Sequence, residues 1–494
     1  MNMKLKDLFA LINVKVPEEF ADMEFPSHLA TDSRDVINGG AFVALEGEKT
    51  DGHKYIPQAI ENGAKLLIVK NGKKPDTSIP VIELENPERD LAELASLKLK
   101  FHTEQEEQKL NEVIAITGSV GKTTTRAALE LVLGEKFKIH APVRSFNTLI
   151  GCTSTILAMP LETEILILEF GANKPGEIRE LTEYFNPTMS ILTSVAPVHL
   201  EGFGDVEGVL REKIEITHSP LMTSIIFNND NEYLSDAFRY VVKSMGVGEN
   251  KDSDFVISHD TSEYSLPSLS FVIAHRPTQE IARFTANIWG KHNALPLSLA
   301  AATGHELGMT LQECSERLEN FQALPGRGRV IMIDENKFVV DDSYNANPAS
   351  MSASLETFSK IHISGKIAVL GEMRELGENS VQFHKDLEPL FEDVDTVILT
   401  GKIWREAFGN KTSLSSCDDI SPCEGETLCP KPSLVMEGEP LTMEGLHQPK
   451  FIFTDTWQES LEALKKIDSW NGILIKGSHS VGLENIVNEL TGEK

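Results

Sequence analysis

No stretch of this 494-residue chain approaches the roughly 18 consecutive apolar residues that a membrane-spanning helix needs, which argues against a spanning segment. Basic residues are scarce: 46 Lys and Arg stand against 75 Asp and Glu, for a formal charge of −29. That deficit argues against non-specific nucleic-acid binding, which depends on clustered cations displacing counterions from phosphates. It also means that any anionic substrate must be held by local donors. Cysteine is sparse too, five in all, and an odd number in so long a chain does not build a disulfide scaffold; the cytoplasm is the expected compartment. The short apolar run from Leu8 to Val14, behind Lys4 and Lys6, lacks a small-residue cleavage site and continues into Pro17-Glu18-Glu19. Residues 1–20 therefore read as an amphipathic helix rather than a signal peptide. What is present is ordinary for a globular protein, 40% hydrophobic and 24% charged. At about 100–200 residues per domain, three domains are expected.

Composition shifts suggest where they divide. The charged run from His102 to Asn111 precedes the apolar strand Val113–Ile116, and the Gly- and Pro-rich segment Leu324-Pro325-Gly326-Arg327-Gly328-Arg329 follows a helical stretch from Leu311 to Asn320. From about Arg405 to Lys450 hydrophobic periodicity disappears, which reads as a mobile surface insertion. Between these breaks short apolar runs alternate with helix-length segments. Glu164–Phe170, Met189–Val195 and Ser224–Asn228 read as buried strands of the middle block. Lys337–Val340, Lys366–Leu370, Thr396–Thr400, Phe451–Thr454 and Gly472–Ile475 read as those of the last. Such alternation favours mainly parallel sheets covered by helices.

Strand Val113–Ile116 runs into Thr117-Gly118-Ser119-Val120-Gly121-Lys122-Thr123-Thr124, followed by a helical stretch from Arg126 to Gly134. Glycines let a backbone turn tightly enough for several N–H groups to face one oxyanion, and a helix N-terminus adds partial positive charge. In such a loop Lys122 reaches the β- and γ-phosphates of a nucleotide and the Thr123 hydroxyl ligates Mg²⁺. The spacing departs from the general phosphate-loop form, since Thr117 stands where the first glycine is usual. A phosphate loop alone does not choose among kinase, hydrolase, switch and ligase.

Later strands end in polar residues at the edge where open α/β sheets place ligands: Leu166-Ile167-Leu168 leads to Glu169, and Ile191–Val195 leads to His199, with Lys213 fourteen residues beyond it. Taken singly these read as a helix cap, a loop histidine and a solvated lysine. Together with the loop, with Leu168-Glu169-Phe170-Gly171, Pro175-Gly176-Glu177 and the block from Val198 to Gly204, they resemble the Mur ligase family. The resemblance implies an α/β protein of three domains: an N-terminal UDP-substrate-binding domain (1–108), a central ATP-binding phosphate-loop domain with a parallel sheet (109–325) and a C-terminal Rossmann-like domain (326–494). It implies that Glu169 bridges two magnesium ions, that His199 binds the second, and that Lys213 is carbamylated. A carbamate is an anion where an ammonium would be repelled by Mg²⁺, and a buried lysine supplies the neutral amine that CO₂ must meet.

The same resemblance assigns further residues. Gly290-Lys291-His292-Asn293 looks like an adenine-side motif with Asn293 as the contact. Arg327 matches an arginine that serves the γ-phosphate, with Arg329 its bland neighbour. The block Asp341-Asp342-Ser343-Tyr344-Asn345-Ala346-Asn347-Pro348 is similar to that of the family members that add D-alanyl-D-alanine to a UDP-N-acetylmuramoyl-tripeptide. By that analogy Asp342 meets the ATP ribose, while Asn345 and Asn347 face the amine. Leu370–Met373, Glu375–Gly377, His384 and Lys476-Gly477-Ser478 fit the same type. Thr31-Asp32-Ser33-Arg34 resembles a uridine-diphosphate site, and Asn147 and Ser478 join the substrate-binding set. No Asp-Asn-Pro-Arg sequence, the mark of siblings that add diaminopimelate, is present.

Two departures stand out. After Ser478 the family type usually carries an arginine, whereas this chain has His479. The 405–450 insertion holds Cys417, Cys423 and Cys429 with His447 later, a spacing wider than structural zinc sites use. The expected activity is an ATP- and Mg²⁺-dependent amide ligase working through an acyl phosphate, with the two substrates as the expected partners and the chain a monomer. The alternatives are a Mur-type ligase for another amino acid or for folate, and a nucleotide-binding switch; the last has no use for Glu169, His199 and Lys213 together.

Overall fold

The computed structural model describes residues 2–47, 50–104, 110–259, 268–409 and 449–493. The chain divides into two compact units, Met1–Ala323 and Leu324–Lys494.

The first unit contains two sheets. Leu29–Ala30, Ala41–Val43, Leu66–Lys70 and Val81–Leu84 pair in parallel and in chain order. Leu66, Leu67, Ile68 and Val69 are all fully buried, the pattern of a strand covered on both faces. The second sheet has nine strands. At its centre Glu112–Thr117 lies between Ile165–Glu169 and Met189–Leu192, all three parallel. Ile139–His140 extends one side, and Ser224–Asn228, Ser244–Gly248 and Phe255–His259 extend the other, still parallel. The far edge is an antiparallel pair, Leu269–His275 with Glu280–Ala286. Burial alternates residue by residue along Leu269–His275, as it does where only one face of a sheet is covered. Because the central strands run parallel, Thr117, Glu169 and Leu192 end on one edge.

The N-terminal segment differs from the single helix that residues 1–20 suggest. Only Leu5–Ala10 is α-helical, with Leu5, Leu8 and Phe9 fully buried, and a separate 3-10 turn spans Glu18–Phe20. Asn13 takes a left-handed conformation (φ 58°), and Pro17 and the β-branched Val14 and Val16 disfavour helix in between. The helix Pro87–Thr103 packs against the helix Leu149–Ala158 of the phosphate-loop sheet. At their junction Lys98, fully buried, donates to Asn2 Oδ1 (2.8 Å), Leu157 O (2.9 Å) and Met159 O (2.7 Å). Burial lowers its pKa to about 7; three acceptors work against that shift, since only the ammonium has three N–H bonds to give.

The second unit is built on one six-stranded sheet. In spatial order its strands are Arg329–Met332, Phe338–Asp342, Gly472–Lys476, Lys366–Gly371, Thr396–Thr400 and Lys450–Thr454, parallel except for the first. Asp342 pairs in register with Lys476, and Lys476 with Leu370, so three strand ends meet at one edge. Regular structure continues past the expected start of the insertion: Lys402–Phe408 is a helix, with Trp404 and Phe408 buried and Arg405 paired to Asp455 (3.1 Å). Residues 410–448, including Cys417, Cys423, Cys429 and His447, lie outside the described residues, and Lys450, the expected end of the insertion, opens the strand Lys450–Thr454. Among the described residues no helix is long and apolar enough to cross a membrane.

Replacing Lys98 by Met removes the donor to Met159 O, at about 1–3 kcal/mol, and one of the two donors to Leu157 O, which keeps Asn2 Nδ2 (2.9 Å). The variant is expected to unfold at clearly lower denaturant concentration than the parent; an unchanged midpoint would show that water or the chain re-satisfies Met159 O.

Candidate active site

The loop between Glu112–Thr117 and the helix Lys122–Leu133 owes its shape to the neighbouring strand. Past Leu192 the chain continues alongside it: Thr193 N–H donates to Thr117 O (2.9 Å), Ser119 N–H to Ser194 O (2.9 Å) and Val120 N–H to Ser194 Oγ (2.9 Å). Thr193 Oγ1 donates to Val120 O (2.5 Å), and Ser119 Oγ bridges Ala196 O (3.2 Å) and Ala196 N–H (3.0 Å). Gly118 (φ +146°) lets this clasp close, since a Cβ there would press on Thr193 Oγ1 and come 2.8 Å from Ser194 N. Two of the loop amides thus serve the clasp. Thr125 N–H bonds back to Gly121 O (2.9 Å), so the helix's first turn begins at the loop, where a helix N-terminus offers its N–H groups to anions. Lys122 arches over the loop, its Nζ donating to Gly118 O (2.5 Å).

Glu169 ends its strand fully buried. Its Oε2 accepts from Thr123 Oγ1 (3.1 Å), which also lies 3.1 Å from Ser145 Oγ, and its Oε1 accepts from Arg126 Nε (2.8 Å). Thr123 hydroxyl and Glu169 carboxylate present oxygens side by side. Magnesium takes such ligands along with phosphate oxygens and retained water, so this donor set fits a cation that arrives with a nucleotide. Among the described residues no three His, Cys, Asp or Glu side chains converge on a metal position.

A cavity of about 550 Å³ opens beside the loop. Gly118, Ser119 and Lys122 form one wall, Asn147, His199 and Lys213 another, and Glu88 and Arg89 of the N-terminal block a third. Asn147 is seated by the absence of a side chain at Gly171, where a Cβ would come 2.7 Å from Asn147 Cγ. His199 starts a short helix in the left-handed conformation (φ 50°). Lys213 is 2% exposed, on the helix Val206–Ile214. Its neighbour Glu212 holds that helix to the turn at Pro175-Gly176-Glu177, accepting from Gly176 N–H and Ile178 N–H at 2.7 Å each. Burial, and then the charge of Lys122, lower the Lys213 pKa to about 7.

Other expected site residues lie elsewhere in this unit. Asn293 is buried, donates to Trp289 O (2.6 Å), and begins the helix Ala294–Glu306. One turn on, Pro296 lies 3.4 Å from where a Gly121 Cβ would stand, so the motif adjoins the loop. Ser33 is buried and donates to Gln58 Oε1 (2.8 Å), while the Arg34 guanidinium is chelated by Asp32 (2.5 and 3.0 Å). Neither lines the cavity.

The second unit gathers its own cluster. Asp342 Oδ2 accepts from Lys476 Nζ and Ser354 Oγ, both at 2.6 Å. Lys476 also donates to Asn345 O (3.2 Å), and Asn347 caps the helix Pro348–Ser359 through Ser350 N–H (2.9 Å). Ser478 Oγ accepts from Arg374 N–H (3.0 Å). His384, buried, accepts from Met373 N–H (3.0 Å) at Nε2 and donates from Nδ1 to Ser380 O (2.7 Å), a neutral tautomer that burial favours. Arg327 lies 4.0 Å over the Tyr344 ring, whose other partner is the His479 ring at 5.6 Å. Arg329 pairs instead with Glu493 (2.6 Å) and Asp341 (3.5 Å). Sequence reasoning passed over Arg126, Ser145, Ser194 and Tyr344. Arg126 was within reach, three residues past Thr123 on one helix face; Ser194 is brought to the loop only by strand pairing.

Comparison with known proteins agrees with this geometry. The Mur ligase middle domain matches residues 116–304, the Mur ligase glutamate ligase domain 327–479, and the Mur ligase family catalytic domain 27–100. A UDP-N-acetylmuramoyl-tripeptide–D-alanyl-D-alanine ligase of Bacillus subtilis is 30% identical over 384 residues, 76% of this chain and 80% of that one. The chain belongs to the Mur ligase family. Among solved structures, MurF from Acinetobacter baumannii superposes with a TM-score of 0.77 at 24% identity, covering 99% of both chains. MurF ligase from Thermotoga maritima in complex with ADP gives 0.71 at 25% identity, covering 94% and 97%. In this Mur ligase the α/β architecture of the family is complete, with an N-terminal, a central and a C-terminal sheet.

Two outcomes test this site. Gly118→Ala forces a Cβ into the clasp and a left-side φ on alanine, strain of about 1–3 kcal/mol; nucleotide affinity should fall roughly 10- to 100-fold, and an unaltered affinity would contradict the loop assignment. For Lys213 the folded pKa lies below its unfolded value of 10.5. Between about pH 7 and 10.5 the unfolded chain therefore binds the extra proton, and stability rises with pH. In protein kept free of CO₂, so that the amine is unmodified, Lys213→Met should gain more stability over the parent at pH 7 than at pH 9 in denaturant titrations; a difference independent of pH would mean the amine is not buried uncharged.

Proposed function

We propose that this Mur ligase joins D-alanyl-D-alanine to UDP-N-acetylmuramoyl-tripeptide, using ATP with Mg²⁺ and releasing ADP and phosphate. The activity named for its relatives supports the reading, and one observation carries it: a single cavity is walled by the phosphate-loop lysine, by His199 and Lys213, and by Arg89 of the N-terminal block. A carboxylate cannot lose oxide to an amine. Transfer of a phosphoryl group makes an acyl phosphate, from which the dipeptide's amine expels phosphate. The protein has to position the groups and offset charge, and no side chain need become covalently attached. Lys122 supplies a fixed charge at the transferring group, and the first turn of its helix supplies N–H donors. Thr123, Glu169, His199 and Lys213 are the proposed cation set, with Lys213 carbamylated so that it offers an anion.

The remaining roles follow the same reading. Residues 1–108 form the UDP-substrate domain, in which Ser33 and Arg34 meet the nucleotide-sugar; Arg34 would then exchange Asp32 for phosphate. Asn147 holds the acceptor and Asn293 the adenine. In the second unit Asp342 receives the ribose through Oδ1, since both of its protein bonds fall on Oδ2. Arg327 serves the γ-phosphate, and Asn345, Asn347 and Ser478 the amine substrate.

Phosphate release from ATP should require both UDP-N-acetylmuramoyl-tripeptide and D-alanyl-D-alanine for turnover; release indifferent to both would indicate a nucleotide switch instead. Lys122→Ala removes several kcal/mol of phosphoryl stabilisation on the scale of about 3–4 kcal/mol per oriented donor, so turnover should drop by at least two orders of magnitude. Near-parental turnover in that variant would overturn the site assignment.

A further inference from the structure

Glu169 is a carboxylate with no exposure, and a buried charge survives only with a partner and hydrogen bonds. Its partner is Arg126, whose side chain is 8% exposed. Thr123 and Arg126 are three residues apart on the helix Lys122–Leu133, so they meet Glu169 from one face and dress its two oxygens differently. Oε1 takes the guanidinium Nε (2.8 Å), and Oε2 takes the Thr123 hydroxyl (3.1 Å). The guanidinium is itself held from behind. Its Nη1 donates to Glu130 Oε1, four residues on along the same face, so Arg126 is braced between two carboxylates and its planar fork cannot turn away.

That arrangement bears on the cation. A divalent ion reaching the Thr123 hydroxyl meets Oε2. One approaching Oε1 would meet a permanent positive charge first. We propose that Arg126 is a positioning residue of the magnesium site: it fixes the Glu169 carboxylate so that one oxygen, Oε2, faces the cation beside Thr123, and it covers the other. This inference rests on the cation set proposed above and departs from the expectation that Glu169 bridges two magnesium ions. It places Glu130, which touches no proposed ligand among the described bonds, in the same device as the brace behind the guanidinium.

The test reads magnesium through nucleotide binding rather than turnover. Affinity for a fluorescent ADP analogue is measured as a function of Mg²⁺, and again in EDTA, for the parent, Arg126→Met, Arg126→Lys and Glu130→Gln. Loss of a residue that orients a metal ligand commonly weakens metal affinity about 10- to 100-fold. Arg126→Met should therefore require about tenfold more Mg²⁺ for half-maximal effect, with its affinity in EDTA within about twofold of the parent. Arg126→Lys, which keeps the charge, should recover part of the loss. Glu130→Gln, which keeps Arg126 and an acceptor for it but removes the brace's charge, should shift the Mg²⁺ requirement in the same direction by less. An unchanged or lower Mg²⁺ requirement in a folded Arg126→Met overturns the proposal, the lower value marking Arg126 as a screen against the metal. If Arg126→Met does not fold, the other two variants decide, and parental Mg²⁺ dependence in both overturns it. Glu169→Gln separates this from the site assignment. If it too leaves the Mg²⁺ dependence unchanged, the cation does not bind at Glu169 at all; if it abolishes that dependence while the Arg126 variants are silent, only the positioning role fails.

Discussion

Everything chemical in the first unit depends on a main-chain clasp. The segment Thr193–Ala196, continuing the strand Met189–Leu192, grips the four residues between a neighbouring strand and its helix, using Ser119 and Val120 amides that would otherwise wander. With those positions fixed, the helix Lys122–Leu133 starts in one place, and its first turn and Lys122 have one direction. A glycine at 118 is the condition for that closeness, because the clasp occupies the volume a side chain would need. The loop is therefore stiff before any ligand arrives, which is what electrostatic catalysis of phosphoryl transfer requires: donors already aimed, with no reorganisation left for the moment of reaction.

Charge in this strongly acidic chain is handled locally. The formal −29 does not prevent a cavity lined by Lys122 and Arg89 from suiting anions, because what matters at a few ångströms is the nearest groups rather than the total. The buried groups are handled in two different ways. Glu169 is held by a guanidinium and a hydroxyl, whereas Lys213 is driven toward neutrality by burial and by Lys122. Burial thus favours the uncharged amine at Lys213.

The second unit repeats the logic at a different sheet edge. Asp342 and Lys476 end adjacent parallel strands and pair with each other, and the turn after Lys366–Gly371 is pinned by neutral His384 and by Ser478. Several residues that resemblance assigns to substrates have a structural occupation as well: Asn347 caps a helix, Ser478 holds Arg374 N–H, Ser33 binds Gln58. The His479 ring lies against Tyr344, which in turn lies under Arg327.

Much of this was legible in the chain itself. Apolar runs marked the central strands, Ser224–Asn228 and Thr396–Thr400 to the residue, because a buried parallel strand must be apolar on both faces and so announces itself locally. Gly118, Gly121, Lys122 and Thr123 were readable for the same reason: a phosphate loop is a local conformation with a local composition. The sequence was less informative where local preference is weak, and the helix suggested over residues 1–20 shrank to Leu5–Ala10 once Asn13 and Pro17 took their conformations. What only tertiary structure decided are the contacts between distant segments. Ser194 meets Val120, Arg126 meets Glu169, and Lys98 meets Leu157 and Met159 across gaps of 43 to 74 residues. No periodicity encodes such meetings, since they arise from which strand lies beside which, and that order is fixed by the packing of the whole sheet.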